Sequence, residues 1–225
     1  MTQVDVKQKV LAANMEAAAA LRTGFAASRM LVVNLISSPG SGKTTFLERT
    51  VADLKKRFRL GGIEGDIATD RDAERLRRLG IPARQILTGG SCHLDARQVR
   101  QALEDEKGRL SALDILFIEN VGNLICPTSY DLGEDFKVVL LSVAEGDDKP
   151  FKYPGIFSKA AVAVITKIDL LPHVDFDLPA VREQIRTLSP EGRLLETSAK
   201  TGVGMVSWYA LLAAELSKKR TASLP

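Results

Sequence analysis

Nine residues, Ser37-Ser38-Pro39-Gly40-Ser41-Gly42-Lys43-Thr44-Thr45, lie between a β-rich run, Met30–Ile36, and a helical stretch from Lys43 to about Arg57, and they leave few folds open. Strand, glycine-rich loop and helix in that order make a phosphate-binding loop. Small residues let backbone N–H groups converge on phosphate oxygens, and the helix offers its positive N-terminus. Ser38, Gly40, Ser41, Gly42, Lys43, Thr44 and Thr45 are therefore candidate nucleotide contacts. Lys43 is expected to reach the β and γ phosphates, and the Thr44 hydroxyl to reach Mg2+. The usual pattern begins with Gly. Here that position is Ser37, so the backbone must reach the loop without the left-handed conformation that Gly takes easily.

The same alternation continues along the chain. Strands are expected near Gly62–Ile67, Gln85–Leu87, Asp114–Ile118, Val138–Val143, Ala161–Ile165 and Leu194–Glu196. Helices are expected over Asp70–Arg78, Leu94–Lys107, Leu178–Thr187 and Gly204–Ser217. Near-continuous apolar strands separated by helices imply an α/β fold with a mostly parallel sheet covered on both faces. Leu11, Met15, Ala18, Leu21 and Phe25 fall at helical spacing, so residues 1–29 read as an extra amphipathic helix outside a phosphate-loop domain over 30–225. With 31 Lys and Arg against 28 Asp and Glu, the net charge of +3 makes no nucleic-acid footprint. No apolar run is long enough to cross a bilayer, and the N-terminus lacks a secretory core. Two cysteines in 225 residues fit a reducing compartment, so a cytoplasmic protein with free thiols is expected.

Thr166-Lys167-Ile168-Asp169 ends an apolar strand, and Ser198-Ala199-Lys200 follows about thirty residues later, the order of base-recognition elements in GTPases. The Asp169 carboxylate can accept from guanine N1–H and its exocyclic amine together, whereas adenine offers no such pair. Lys167 would cover the ring, and the Ala199 and Lys200 amides would meet guanine O6. Either tetrapeptide alone reads as a strand-end turn; in register with the phosphate loop they point to GTP. Ile115–Glu119 is a buried strand ending in an acid, with Gly122 three residues on, as in a loop that senses the γ-phosphate. Glu119 is expected to hold Mg2+ through water, and the Gly122 N–H to report the γ-phosphate. Asn123 stands where a water-orienting Gln would help, which implies slow intrinsic turnover. Asp66 and then Asp72, in a candidate first switch over 65–72, are the other magnesium or water-positioning carboxylates, with capping by Asp70 and a solvated Asp72 as the plainer reading. Lys43, Asp66, Glu119 and Gly122 make up the expected catalytic set.

Cys92-His93 follows Gly89-Gly90-Ser91 at the expected start of a helix, and Cys126 follows Gly122 by four residues. Two thiols and an imidazole suit Zn2+ or Ni2+, but adjacent residues can share one ion only from a turn. On spacing alone, two buried cysteines acting as small hydrophobes is the simpler reading. Position favours the metal, because Cys126 lies just beyond the expected γ-phosphate loop.

At this point the chain resembles the hydrogenase nickel-incorporation GTPases, the HypB family. The likeness rests on Ser37–Thr45, Glu64–Arg75 (EGDIATDRDAER), Thr88–Ala96 (TGGSCHLDA), Glu119–Pro127 (ENVGNLICP) and Thr166–Leu170 (TKIDL). The resemblance implies a GTP-dependent homodimer with Cys92, His93 and Cys126 as nickel or zinc ligands at its interface. It also implies a nickel-handling accessory protein and a hydrogenase large-subunit precursor as partners. No cysteine precedes Cys92 and there are only two histidines, so a nickel-storage segment is not expected. A urease-type nickel GTPase would carry Cys-Pro-His, which is absent. A small-molecule kinase with incidental cysteines leaves Asp169 and Ser198-Ala199-Lys200 unexplained, and a non-catalytic metal carrier is a third reading that measurable GTP hydrolysis would exclude.

Overall fold

The computed structural model describes residues 3–67, 69–106, 108–110 and 112–221, with side chains from residue 8 onward. In chain order its elements are α1 (Gln3–Ala27), β1 (Leu31–Ser37), α2 (Lys43–Leu54), β2 (Leu60–Asp66), α3 (Arg71–Arg78), β3 (Ala83–Leu87), α4 (Ala96–Asp105) and β4 (Ile115–Glu119). They continue with β5 (Phe136–Ser142), α5 (Lys149–Lys152), α6 (Pro154–Lys159), β6 (Val162–Thr166), α7 (Leu178–Leu188), β7 (Arg193–Glu196) and α8 (Met205–Thr221). The seven strands form one sheet in the order β3-β2-β4-β1-β5-β6-β7, and every pairing is parallel.

Because side chains alternate across a strand, β1 feeds two cores. Leu31, Val33 and Leu35 point to the layer of α2, α3 and α8, where Phe46, Leu76 and Trp208 are buried. Val32 joins the layer of α1 and α4, with Leu21, Phe25 and Val99, while Ile36 meets α6 and α7 through Phe157 and Val181. Helices therefore cover both faces, as the apolar strands require. Both β1–β4 and β1–β5 pairings place the carboxyl end of β1 at mid-sheet. Strand order reverses there, leaving a crevice that no crossover helix fills.

Three expectations need correction. The apolar stripe of α1 is rotated: Asn14, Ala17, Ala18, Leu21 and Phe25 are buried, while Met15 is 67% exposed and Leu11 only half-buried. Asn14 can be buried because its side chain donates to Asp131 O and accepts from Ala96 N, both at 2.8 Å. Residues 1 and 2 of that predicted helix lie outside the described residues. Secondly, α4 begins at Ala96, where Asp95 caps it in a reciprocal capping box with Gln98, so Leu94 and the residues before it are loop. Lys107, placed in that helix by periodicity, also lies outside the described residues. Thirdly, α5, α6 and three short 3-10 turns occupy stretches that gave no periodic signal.

Trp208 is fully buried against Phe46, and its indole N–H donates to the Thr50 hydroxyl at 3.0 Å. Trp208→Phe removes that hydrogen bond and leaves a void. It should lower unfolding free energy by about 2–3 kcal/mol, measured by urea denaturation followed by circular dichroism.

Candidate functional site

The crevice at the end of β1 is built first by the backbone. Ser37 closes β1 without a positive φ, as a non-glycine requires, while Gly40 and Gly42 take the left-handed turns at φ 82° and 90°. Gly42 then caps α2, so that helix's free N–H groups face the crevice. The Ser37 hydroxyl accepts from Lys43 Nζ at 2.8 Å and from Ser41, which keeps a nearly buried ammonium hydrogen-bonded. Ser38 Oγ donates to Glu145 at 3.0 Å. Burial raises the Glu145 carboxyl above its ordinary value.

The cleft measures about 580 Å³, and its lining includes Lys43, Thr44, Asp66, Asp72, Glu119 and Gly122. All four expected carboxylate or hydroxyl ligands thus face one space. Thr44 Oγ1 donates to Glu119 Oε1 at 2.9 Å, while Glu119 Oε2 is buried with no hydrogen-bond partner. A Cβ on Gly122 would lie 2.9 Å from Pro39 Cγ and 3.1 Å from Pro39 N, so only glycine lets this segment approach the phosphate loop. Asp66 ends β2, and its carboxylate accepts from Thr69 N at 2.8 Å. Asp70 occupies the N-cap of α3 without a side-chain cap bond, which sets aside the capping reading for it. Asp72 is in the first turn of α3 and pairs with Arg75, which also holds Glu48 and reaches Thr45 Oγ1 at 3.3 Å.

One group at this site escaped the sequence reading. Glu64 pairs in register with Glu119 on adjacent parallel strands, which puts both carboxyls on the same face of the sheet. Glu64 is 1% exposed and neither carboxyl oxygen has a hydrogen-bond partner. Burial, then the neighbouring Glu119 and Asp72, push it well above the ordinary carboxylate range. Burial likewise raises Glu119, against the pull of Lys43. Two buried acids beside one lysine, with three unpartnered oxygens between them, form a donor set that a hard divalent cation such as Mg2+ fits. Glu64 was within reach of the sequence, because it sits two residues before Asp66, on the same face of the strand.

Beside the cleft, a pocket of about 300 Å³ is lined by Thr166, Lys167, Asp169, Ala199 and Lys200 together with Phe46. Thr166 Oγ1 donates to Ser41 O at 2.7 Å, and Lys167, left-handed at φ 59°, sends Nζ to Gly40 O at 2.7 Å. The motif is thereby fastened to the phosphate loop at two carbonyls. Ser198 does not line the pocket: it is fully buried, and its hydroxyl accepts from Thr201 N at 3.1 Å, shaping the turn that presents Ala199 and Lys200.

Cys92, His93 and Cys126 come together, with one ligand atom from each lying within 4.8 Å of the others. Sγ of Cys92 and Sγ of Cys126 are 2.7 Å apart, and His93 Nδ1 is 3.7 Å from Cys92 Sγ. The turn that lets adjacent residues converge is held by hydroxyls: Thr88 Oγ1 donates to Ser91 O at 2.7 Å and Ser91 Oγ to His93 O at 3.0 Å. The His93 ring packs on Tyr130 with centroids 3.8 Å apart. Burial lowers the His93 imidazole below its ordinary value, which favours the neutral ligand form. Contact with Cys92, and then burial, raises the Cys126 thiol, so a cation must displace protons to bind.

The all-parallel sheet, with its glycine loop between β1 and α2 opening on the cleft, defines a P-loop NTPase fold. The sequence matches the CobW/HypB/UreG nucleotide-binding domain over residues 4–196. A hydrogenase maturation factor HypB from Azotobacter chroococcum mcd 1 is 48% identical over 207 residues, covering 92% of this chain and 67% of that protein. The crystal structure of hydrogenase maturation factor HypB from Archaeoglobus fulgidus superposes with a TM-score of 0.85 at 39% identity, covering 91% of this chain and 99% of that one. HypB from Helicobacter pylori in complex with nickel gives 0.83 at 43% identity, covering 93% and 99%. The chain belongs to the CobW/HypB/UreG family of P-loop GTPases, on its HypB branch.

The folded state holds a Glu64 proton that the unfolded chain releases in the ordinary carboxylate range. Its stabilising contribution is therefore complete below that range and lost as pH rises through the raised folded value. Glu64→Gln should remove this loss. In metal-free protein the melting temperature of the variant relative to the parent should rise from about pH 5 to about pH 8, measured by calorimetry.

Proposed function

We propose that this protein is a GTP-hydrolysing nickel switch for hydrogenase maturation, in which the nucleotide sets the geometry of the Cys92, His93 and Cys126 group. One observation carries the reading. The segment that closes on the phosphate loop at Gly122 continues without interruption to the metal-site thiol of Cys126. A γ-phosphate meeting the Gly122 N–H would displace the chain that carries Cys126. Nickel is the cargo, and the name of the Archaeoglobus relative, hydrogenase maturation factor, points to a hydrogenase large-subunit precursor as its destination. A zinc ion in the same ligands would be structural or regulatory.

Lys43 and the Gly40–Thr45 amides would bind the phosphates, Asp169 the guanine edge and Lys167 its face, with Ala199 and Lys200 at O6. Thr44 and Glu119, with Asp66 and Asp72 around them, would hold Mg2+, which supplies positive charge to the phosphate oxygens. Slow turnover fits Asn123: its side-chain oxygen accepts from Ile125 N at 2.7 Å and Cys126 N at 3.3 Å, so it is committed to the thiol turn rather than to a water. A homodimer in the GTP state would bring two such metal loops together, and Ile67, Leu87 at the end of β3, and Ile125, all exposed, suit that contact. The setting is cytoplasmic, with a nickel-handling accessory protein as donor; no helix among the described residues is long and apolar enough to cross a membrane. A urease-type nickel GTPase is the second reading, and the absence of a Cys-Pro-His run tells against it.

Cys126→Ala should diminish and shift the thiolate-to-nickel charge-transfer band, leaving only the Cys92 contribution, and weaken nickel binding by about a hundredfold, while GTP hydrolysis persists. An unchanged band would remove Cys126 from the ligands. Asp169→Asn should weaken GTP by about a hundredfold relative to ATP in equilibrium dialysis, because the carboxylate's paired acceptors are lost. Equal affinity of the parent for both nucleotides would overturn the guanine assignment.

A further inference from the structure

The metal loop has a second connection to the nucleotide site, on the side opposite Cys126. Asn120, 1% exposed and next to Glu119, points its side-chain oxygen at Leu94 N, 3.0 Å away, and at its own neighbour Val121 N at 3.0 Å. Its amide is oriented by Asn34 at 3.4 Å, which in turn donates to buried Glu134 at 3.2 Å. Leu94 directly follows Cys92-His93, is fully buried, and fills the space over Gly65, where a Cβ would come within 2.8 Å of Leu94 Cγ. Leu94 therefore touches both nucleotide-facing segments at once, its backbone on the Glu119–Gly122 turn and its side chain on the end of β2. Two residues on, Ala96 N is held by Asn14 of α1 at 2.8 Å. That anchor comes from a helix outside the nucleotide crevice.

We propose that Asn120 is the positioning residue that transmits nucleotide state to Cys92 and His93, and that Asn14 supplies the fixed end against which that loop moves. The proposal deepens the nickel-switch reading and rests on it. A shift of the Glu119–Gly122 turn pulls Leu94 through a buried hydrogen bond, and breaking that bond would leave both groups unpaired in the interior. Close packing over Gly65 leaves Leu94 no slack. The two thiols are then driven from opposite ends of one turn, Cys126 directly and Cys92 through Asn120, so their separation changes with the nucleotide. α1 becomes part of the switch as its abutment rather than an appendage to the sheet.

The test uses the full chain with GDP and with a non-hydrolysable GTP analogue. Amide exchange by NMR on the unaltered protein should show Leu94 N–H protection changing by about tenfold or more between the two states while Ala96 N–H stays the same. Nickel titrations should then show that Asn120→Ala brings the ratio of nickel affinities in the two states to within about twofold of one, from about tenfold or more in the parent. If the parent ratio differs from one but Leu94 protection is equal in both states, or Asn120→Ala keeps the parent ratio, the Asn120 assignment is overturned and the nickel switch stands. If the parent itself binds nickel equally in both states, both fall. The exchange measurement needs no substitution, so it decides the matter even where Asn120→Ala does not fold.

Discussion

Two buried carboxyls, Glu64 and Glu119, side by side in register on β2 and β4, dictate how the rest of the site is arranged. Ionised together in a water-free position they repel, and desolvation already disfavours the charge of each. The arrangement is tolerable because Lys43 lies close by and because Thr44 donates to one of the four oxygens. It becomes favourable when more positive charge arrives. Such a pair, which holds a proton when no cation is present, offers oxygens that a divalent cation fits in its place. The parallel register is the cause, since strands offset by one residue would send one carboxyl to the opposite face.

From Glu119 the chain runs through Asn120, Gly122 and Asn123 to Cys126, and each of these residues is committed. Asn120 holds Leu94, Gly122 lies against Pro39, and Asn123 shapes the turn of the thiol. These contacts link the phosphate end of the stretch to its thiol end, while the Ile125 side chain between them is exposed. In the proposed function, these contacts would carry a displacement at the phosphate end to the thiols. The ligand set is compact, with the two thiols 2.7 Å apart and the His93 imidazole 3.7 Å from the Cys92 thiol, and its sulfur and nitrogen donors suit a soft or borderline metal ion.

Much of this was legible in the sequence. The glycine loop located β1, α2 and the crevice, because a phosphate loop needs a strand before it and a helix after it. The apolar runs of β4, β5 and β6 could be read because strands buried on both faces carry little else. Asp169 and Cys126 could be placed by their distance from those strands. The features that could not be read depend on partners far away in the chain. Asn14 looks like a polar residue on the exposed side of a helix until Ala96 and Asp131 are brought to it. Glu64 looks like one more charge beside the candidate switch segment until strand pairing sets Glu119 next to it. The Thr166 hydroxyl looks like an ordinary strand-end polar group until the fold brings Ser41 O to it. Helices α5 and α6 are too short for any period to show.

If, as proposed, the phosphate cleft and the metal ligands move as one mechanical unit, nickel K-edge X-ray absorption of the loaded protein, recorded with GDP and with the GTP analogue, should show a change in the number or distance of sulfur neighbours around nickel between the two states. Superimposable spectra, with both nucleotides shown to be bound, would contradict it.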